Sequence, residues 1–214
     1  LTNMINNFIK YRRTGKIALA DALPLYKLAA KEEWILQEGA ISSTSFTTIL
    51  SASNSAKDFD FSRWFTQNFY KKLPVAQREE GRIYGEAHTL NKEGEYEKAI
   101  EALLKIEFKA NYYQKAGRLL TTQIYFDLHL EKSSYQSFLL DYCDAFEKWL
   151  RRDSIKNNQR SWLRFVQFVR ALSKLYYAIP FEPHKVEALF EDTTNLLAHD
   201  WLSGRKEKIL NLKR

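Results

Sequence analysis

With one cysteine, Cys143, the chain cannot contain an intrachain disulfide framework or a metal site built from several thiolates. The expected setting is therefore a reducing one, the cytoplasm. Proline (four) and glycine (seven) are scarce in 214 residues, and Gly15, Gly39, Pro74, Gly94, Pro180 and Pro183 stand between periodic segments, which is how a helical chain is punctuated. No apolar run approaches the roughly 20 residues that span a bilayer. Residues 1–13 carry Asn and Lys where an export signal needs an apolar centre, so neither membrane insertion nor export is expected. The chain starts at Leu1 without a methionine and reads as a piece of a longer protein, in which a targeting segment or catalytic domain could come first.

Signatures of chemistry are also missing. The four histidines, His88, His129, His184 and His199, are scattered, and none lies in a His-Glu-x-x-His run. His184 and Glu187 are one helical turn apart, but a metal needs a second such pair, so both read as surface residues. There is no Gly-rich phosphate loop and no nucleophile elbow. Cys143 sits among Phe138, Leu139, Leu140, Tyr142 and Phe146, where a buried, inert thiol is expected. No catalytic residue, metal or cofactor is expected.

What is present is an apolar fraction of 45%, ample for a core, and a net charge of +7 from 33 basic and 26 acidic residues. Apolar spacing predicts helices over 1–13, 18–35, 43–56, 60–72, 76–92, 96–108, 112–130, 134–151, 156–178, 183–196 and 199–210. Asp60 is placed to cap the fourth, and Pro183 to occupy a first turn, where its missing N–H has no helical partner. Turns recur at Gly15-Lys16-Ile17, Lys57-Asp58-Phe59, Gly94-Glu95-Tyr96, Ser133-Ser134-Tyr135 and Ala178-Ile179-Pro180-Phe181. Steps of roughly 40 residues between such anchors suit drifted helix-turn-helix repeats, each burying its face against the next. The 156–178 helix has apolar residues on more than one side and is expected between two neighbours. Gly81 and Gly85 would let helix backbones approach closely; Ser51, Ala52, Ser53, Ser55 and Ala56 read either as another such contact or as a loose, frayed helix end.

Residues 79–112 resemble a tetratricopeptide repeat, with Ala87 and Ala99 at the small positions and Leu90, Leu103 and Ile106 at apolar ones. The sequence departs from that signature at Ile83, Glu86 and Asn111, where Trp, Leu and Pro are usual. Over most of its length the chain also resembles a family of bacterial helical-repeat proteins, through Phe59-Asp60-Phe61 with Leu73-Pro74, Ile106-Glu107-Phe108-Lys109, Phe146 to Arg152, and His199-Asp200-Trp201-Leu202. The resemblance implies an all-α fold: a right-handed superhelical stack of about five helix-turn-helix repeats, a tetratricopeptide-like α-solenoid. Residues 1–214 would form a single helical-repeat domain, the C-terminal part of a longer array. It implies no activity.

Some tetratricopeptide grooves hold a peptide carboxylate with Lys and Asn; here the matching positions carry Tyr84 and His88, then Gln123 and Asp127. An acidic residue opposes a carboxylate clamp. Tyr84, His88, Asn91, Gln123 and Asp127 are instead the candidates for a mixed hydrogen-bonding peptide groove, set against an ordinary solvated face. A basic stripe of Arg151, Arg152, Lys156, Arg160 and Arg164, continued by Arg170 and Lys174, lies near Trp149 and Trp162 and could hold phosphates and stacked bases. The tryptophans fall at apolar spacing and should face the core, which disfavours nucleic acid. The expected function is a non-catalytic scaffold for a protein or peptide of unknown identity. The alternatives are nucleic-acid binding through the stripe, or regulation of an upstream domain.

Overall fold

The computed structural model describes residues 19–152, 159–191, 193 and 196–213. The expected helix over 1–13 and the turn at Gly15 lie outside them. Among the described residues there are ten α-helices, no strand, and one isolated antiparallel bridge, Gln37 to Ala40. The helices are α1 (Leu23–Lys31), α2 (Ser43–Ser55), α3 (Phe59–Phe69), α4 (Arg78–Glu93), α5 (Tyr96–Leu104), α6 (Asn111–Glu131), α7 (Tyr135–Arg152), α8 (Gln159–Tyr176), α9 (Pro183–Leu189) and α10 (His199–Leu212). Short 3-10 turns precede α1 and fill the α3–α4 connection at Tyr70–Lys72 and Val75–Gln77. The helix expected over 183–196 ends at Leu189. Asp58, not Asp60, caps α3, its carboxylate accepting the Phe61 N–H at 3.1 Å, while Asp60 lies in the first turn.

The chain divides into two compact units, residues 1–124 and 125–214, where the sequence suggests one repeat domain. In the first unit α2 packs on α1, α3 and α4, and α4 packs on α3 and α5. The core is built from Phe46, Ile49, Leu50, Phe65, Ile83 and Ala87, all buried. Two turns share one hydrogen-bond pattern. After α2, Lys57 adopts a positive φ of 58°, Lys57 N–H donates to Asn54 and Asp58 N–H to Ser53; after α4, Gly94 has a φ of 86°, Gly94 N–H donates to Asn91 and Glu95 N–H to Leu90. This is the left-handed closure that satisfies the last helical carbonyls and reverses the chain. The two turns lie at two of the anchors the sequence marks.

Close helix approach depends on small residues, as the sequence suggests. A Cβ on Gly85 would lie 2.7 Å from Thr66 Oγ1 and 2.9 Å from its methyl carbon, so the α4 backbone meets the Thr66 side chain of α3 there. A Cβ on Gly81 would collide with Leu73 and reach 2.8 Å from the Tyr113 hydroxyl. Between α2 and α3, the buried Ser53 and Ser62 hydroxyls hydrogen-bond at 2.6 Å. Gly117 likewise admits the Phe108 ring.

Glu80, on α4, is buried and fastens the start of α6. Its carboxylate accepts the Lys109 N–H at 2.7 Å and the Ala110 N–H at 3.1 Å, where Ala110 is the residue whose carbonyl begins the helix. A carboxylate at the positive end of a helix satisfies donors that have no intrahelical partner.

In the second unit α8 packs between α7 and α9, and α9 on α10, so the multi-sided apolar pattern of α8 is met by neighbours on two sides. Phe165, Val166, Val169 and Leu172 are fully buried there. Trp149 and Trp162 are half-buried and flank Phe146, at ring-centre distances of 6.0 and 6.2 Å.

Replacing Glu80 with alanine leaves two partly buried N–H groups without their carboxylate and should lower unfolding stability by about 1 kcal/mol in urea titrations. A change near zero would mean that the α6 start finds its partners elsewhere.

Candidate functional site

The sequence-derived groove residues do not form an exposed face. Tyr84 and His88 are each 8% exposed and Asn91 is 6% exposed, all within the first unit. Tyr84 stacks obliquely against His88 and Tyr113, each with ring centres 5.7 Å apart. Asn54, on α2, donates an amide N–H to His88 Nδ1 at 2.7 Å, while its carbonyl oxygen accepts the Ser62 hydroxyl at 2.8 Å. The network Ser53–Ser62–Asn54–His88 thus joins α2, α3 and α4 within the core. His88 faces inward because a polar partner waits there. Burial holds its pKa down at about 3, with a smaller push from Lys92, so it is a neutral packing group.

Gln123 is half-buried at the end of the first unit. Asp127 belongs to the second, is fully buried, and is gripped by both ends of the Arg205 guanidinium, with the Arg205 Nη2 contact at 2.6 Å and Trp201 Nε1–H donating at 3.3 Å. Its carboxylate secures α10 and is closed to an outside ligand. Nearby, His129 is buried and held to a pKa of about 4 by burial, and Tyr177 donates its hydroxyl to the His129 carbonyl at 2.8 Å.

Most of the basic stripe is described. Arg151 pairs with Glu147 through Nη2 at 2.6 Å, and Arg170 reaches Asp144 and Glu147 at 2.5 and 2.9 Å, so α7 carboxylates neutralise part of the positive charge. Arg152 and Arg160 are exposed and Arg164 is half-buried; Lys156 lies outside the described residues. His184 is exposed and paired with Glu182, not Glu187. The Cys143 thiol is buried and pushed up to about 12, chiefly by burial, so thiolate is scarce near neutrality. Among the described residues no group of three or more His, Cys, Asp or Glu side chains is arranged to hold a metal ion, and no helix is long and apolar enough to cross a membrane.

The accessible feature that sequence reasoning missed is a cleft of ≈ 370 Å³ between α3 and α4. Its floor is Thr66, Gly85, Thr89 and Leu90. Thr66 and Thr89 donate their hydroxyls to the carbonyls of Ser62 and Gly85, at 2.8 and 3.0 Å, so both hydroxyl protons are already engaged. The rim is polar. Arg63 pairs with Glu93 at one end, and at the other Arg82 bonds Glu79 at 3.0 Å and Glu86 at 3.4 Å. Arg82, through its hydrogen bond, also holds the Glu79 carboxyl below its usual range. The available signal was the run of polar residues one or two turns apart, Arg63-Gln67-Tyr70 against Arg82-Glu86-Glu93, on either side of Gly85.

No protein-family model, no curated protein and no solved structure matches the chain.

His88 and His129 set the acid limit of the fold. Both have folded pKa values below the ordinary 6.5, so their contribution is complete above pH 6.5 and is lost as pH falls from there toward 4 and 3. Each should cost about 1.4 kcal/mol per pH unit below that point. Urea titrations between pH 7 and about pH 5, above the carboxylate range, should show the decline, and His88→Gln should make it shallower. A flat profile over that interval would contradict the assignment.

Proposed function

We propose that the chain is a non-catalytic scaffold of tetratricopeptide-like type that docks a protein or peptide on the α3–α4 face of its first unit. The carrying observation is the open cleft there, an apolar floor inside a ring of mutually paired charges, a surface suited to desolvating part of a partner. The repeat reading, a right-handed stacking of successive hairpins, is supported by the identical closures at Lys57 and Gly94 and by the helix-on-helix packing of α2, α3, α4 and α5. The non-catalytic reading is supported by the state of the reactive side chains: Cys143, His88 and His129 are all buried and held in their neutral forms. A reducing cytoplasmic setting accords with a single, unpaired, buried thiol.

The docking face moves away from Tyr84, His88, Asn91 and Asp127, whose polar atoms face the interior. Nucleic acid is the less favoured partner, because Arg151 and Arg170 are engaged by α7 carboxylates.

The test is affinity capture from the native cell lysate, with the full chain and a Gln67→Trp variant as baits. Gln67 is exposed, so the substitution should fill the cleft without disturbing the fold. A protein retained by the parent chain and lost from the variant is the expected outcome. Equal retention by both, or material released only by nuclease, would overturn the assignment.

A further inference from the structure

We infer that the α3–α4 cleft takes an uncharged stretch of peptide and seats one bulky aliphatic side chain on the Thr66–Gly85–Thr89–Leu90 floor, with the peptide backbone read by Gln67 and Tyr70. This deepens the scaffold reading and rests on it.

The first ground is charge. The lining holds two cations, Arg63 and Arg82, and two anions, Glu86 and Glu93, each engaged with an opposite charge across or along the rim. Arg63 also approaches Asp60, at 3.8 Å, and Arg82 binds Glu79 as well. A charged ligand would have to displace pairs already formed. A polyanion or a free terminal carboxylate therefore gains little, whereas a neutral segment leaves every pair in place.

The second ground is the floor. Thr66 and Thr89 turn their hydroxyls onto backbone carbonyls, Gly85 contributes bare Cα surface, and Leu90 completes an apolar base. Burying an aliphatic side chain there removes apolar area from water without stranding a polar group on the floor.

The third ground is the hydrogen-bonding capacity left over. Gln67 on α3 and Tyr70 just past its C-terminus border the cleft, one turn apart, and neither the Gln67 amide nor the Tyr70 hydroxyl makes a hydrogen bond among the described residues. A side-chain amide donates and accepts as a peptide group does, and so matches a backbone unit lying along the rim. From Arg63 to Tyr70 the α3 side of the cleft is about 10 Å long, enough for roughly three extended residues.

The test uses blocked pentapeptides, acetyl-Ala-Ala-X-Ala-Ala-amide with X as Leu, Ala, Glu or Lys, titrated into the ¹⁵N-labelled full chain and followed by amide chemical shifts. The Leu peptide should give saturable shifts at Gly85, Thr89 and the Gln67 side chain. The Ala, Glu and Lys peptides should bind at least about fivefold more weakly, and the Leu affinity should change less than about twofold when salt rises from 50 to 300 mM, an insensitivity expected of neutral contacts. Gln67→Ala should weaken the Leu peptide by about fivefold while leaving the rest of the spectrum unchanged. No shifts at the cleft, tighter binding of the Glu or Lys peptide, or displacement of the Leu peptide by a thymidine 12-mer at low salt would overturn the ligand class. Cleft-dependent capture of a protein alongside failure of the Leu peptide would sink this inference and leave the scaffold reading standing; loss of both would end both.

Discussion

The missing Cβ at Gly85 is the constraint on which the rest of the first unit depends. With it absent, α4 lies directly on Thr66 of α3. That approach brings His88, three residues farther along α4, within reach of Asn54 on α2, and so closes the buried chain of hydrogen bonds through Ser62 and Ser53. One contact thereby joins three helices: apolar side chains give the core its free energy, while the polar network selects one packing among several that would bury similar area.

The same contact makes the cleft. Two helices that touch at small residues and carry long ones on either side leave a trough, floored where Thr66 meets Gly85 and walled by Arg63, Gln67, Tyr70, Arg82, Glu86 and Glu93. Wide side chains at positions 66 and 85 would push the helices apart and remove the floor. Structure and proposed function are thus linked through a single interhelical distance. The ion pairs around the trough are exposed or half-exposed, so their stability contribution is small, of order 0–1 kcal/mol each. Their effect is on which ligands gain by entering.

Much of this architecture was legible in the chain. The punctuation at Lys57-Asp58 and Gly94-Glu95 marks two closures that share one hydrogen-bond pattern, and the period of apolar residues locates α2, α4, α6, α7 and α8 to within a few residues. Pro183 opens α9 as a first-turn proline should. The functional face was not legible, for a physical reason. Tyr84, His88, Asn91 and Asp127 are polar or amphipathic, and polarity alone suggests a solvated surface. The partners of Tyr84, His88 and Asp127, namely Asn54 and Tyr113 in one unit and Arg205 and Trp201 in the other, are distant in sequence, while the buried Asn91 Oδ1 makes no hydrogen bond among the described residues. A polar residue satisfied by a remote partner is indistinguishable from an exposed one until the chain is folded. Asp58 and Asp60 show the same limit at short range: two carboxylates flank one helix start, and only the backbone angles decide which of them caps it.

The most direct test of the central claim is a double-mutant cycle at the α3–α4 contact, measured by urea unfolding. Gly85→Ala alone should destabilise the protein by about 1–3 kcal/mol, since the new methyl meets a β-branched side chain on a rigid helix. Combined with Thr66→Ala, which removes the two nearest atoms it meets and leaves only Leu50 Cδ1 at 3.3 Å, it should cost markedly less than the sum of the two single changes. If Gly85→Ala instead stabilised the chain by the ~1 kcal/mol that alanine gains over glycine in a helix, the two helices would not be in contact there.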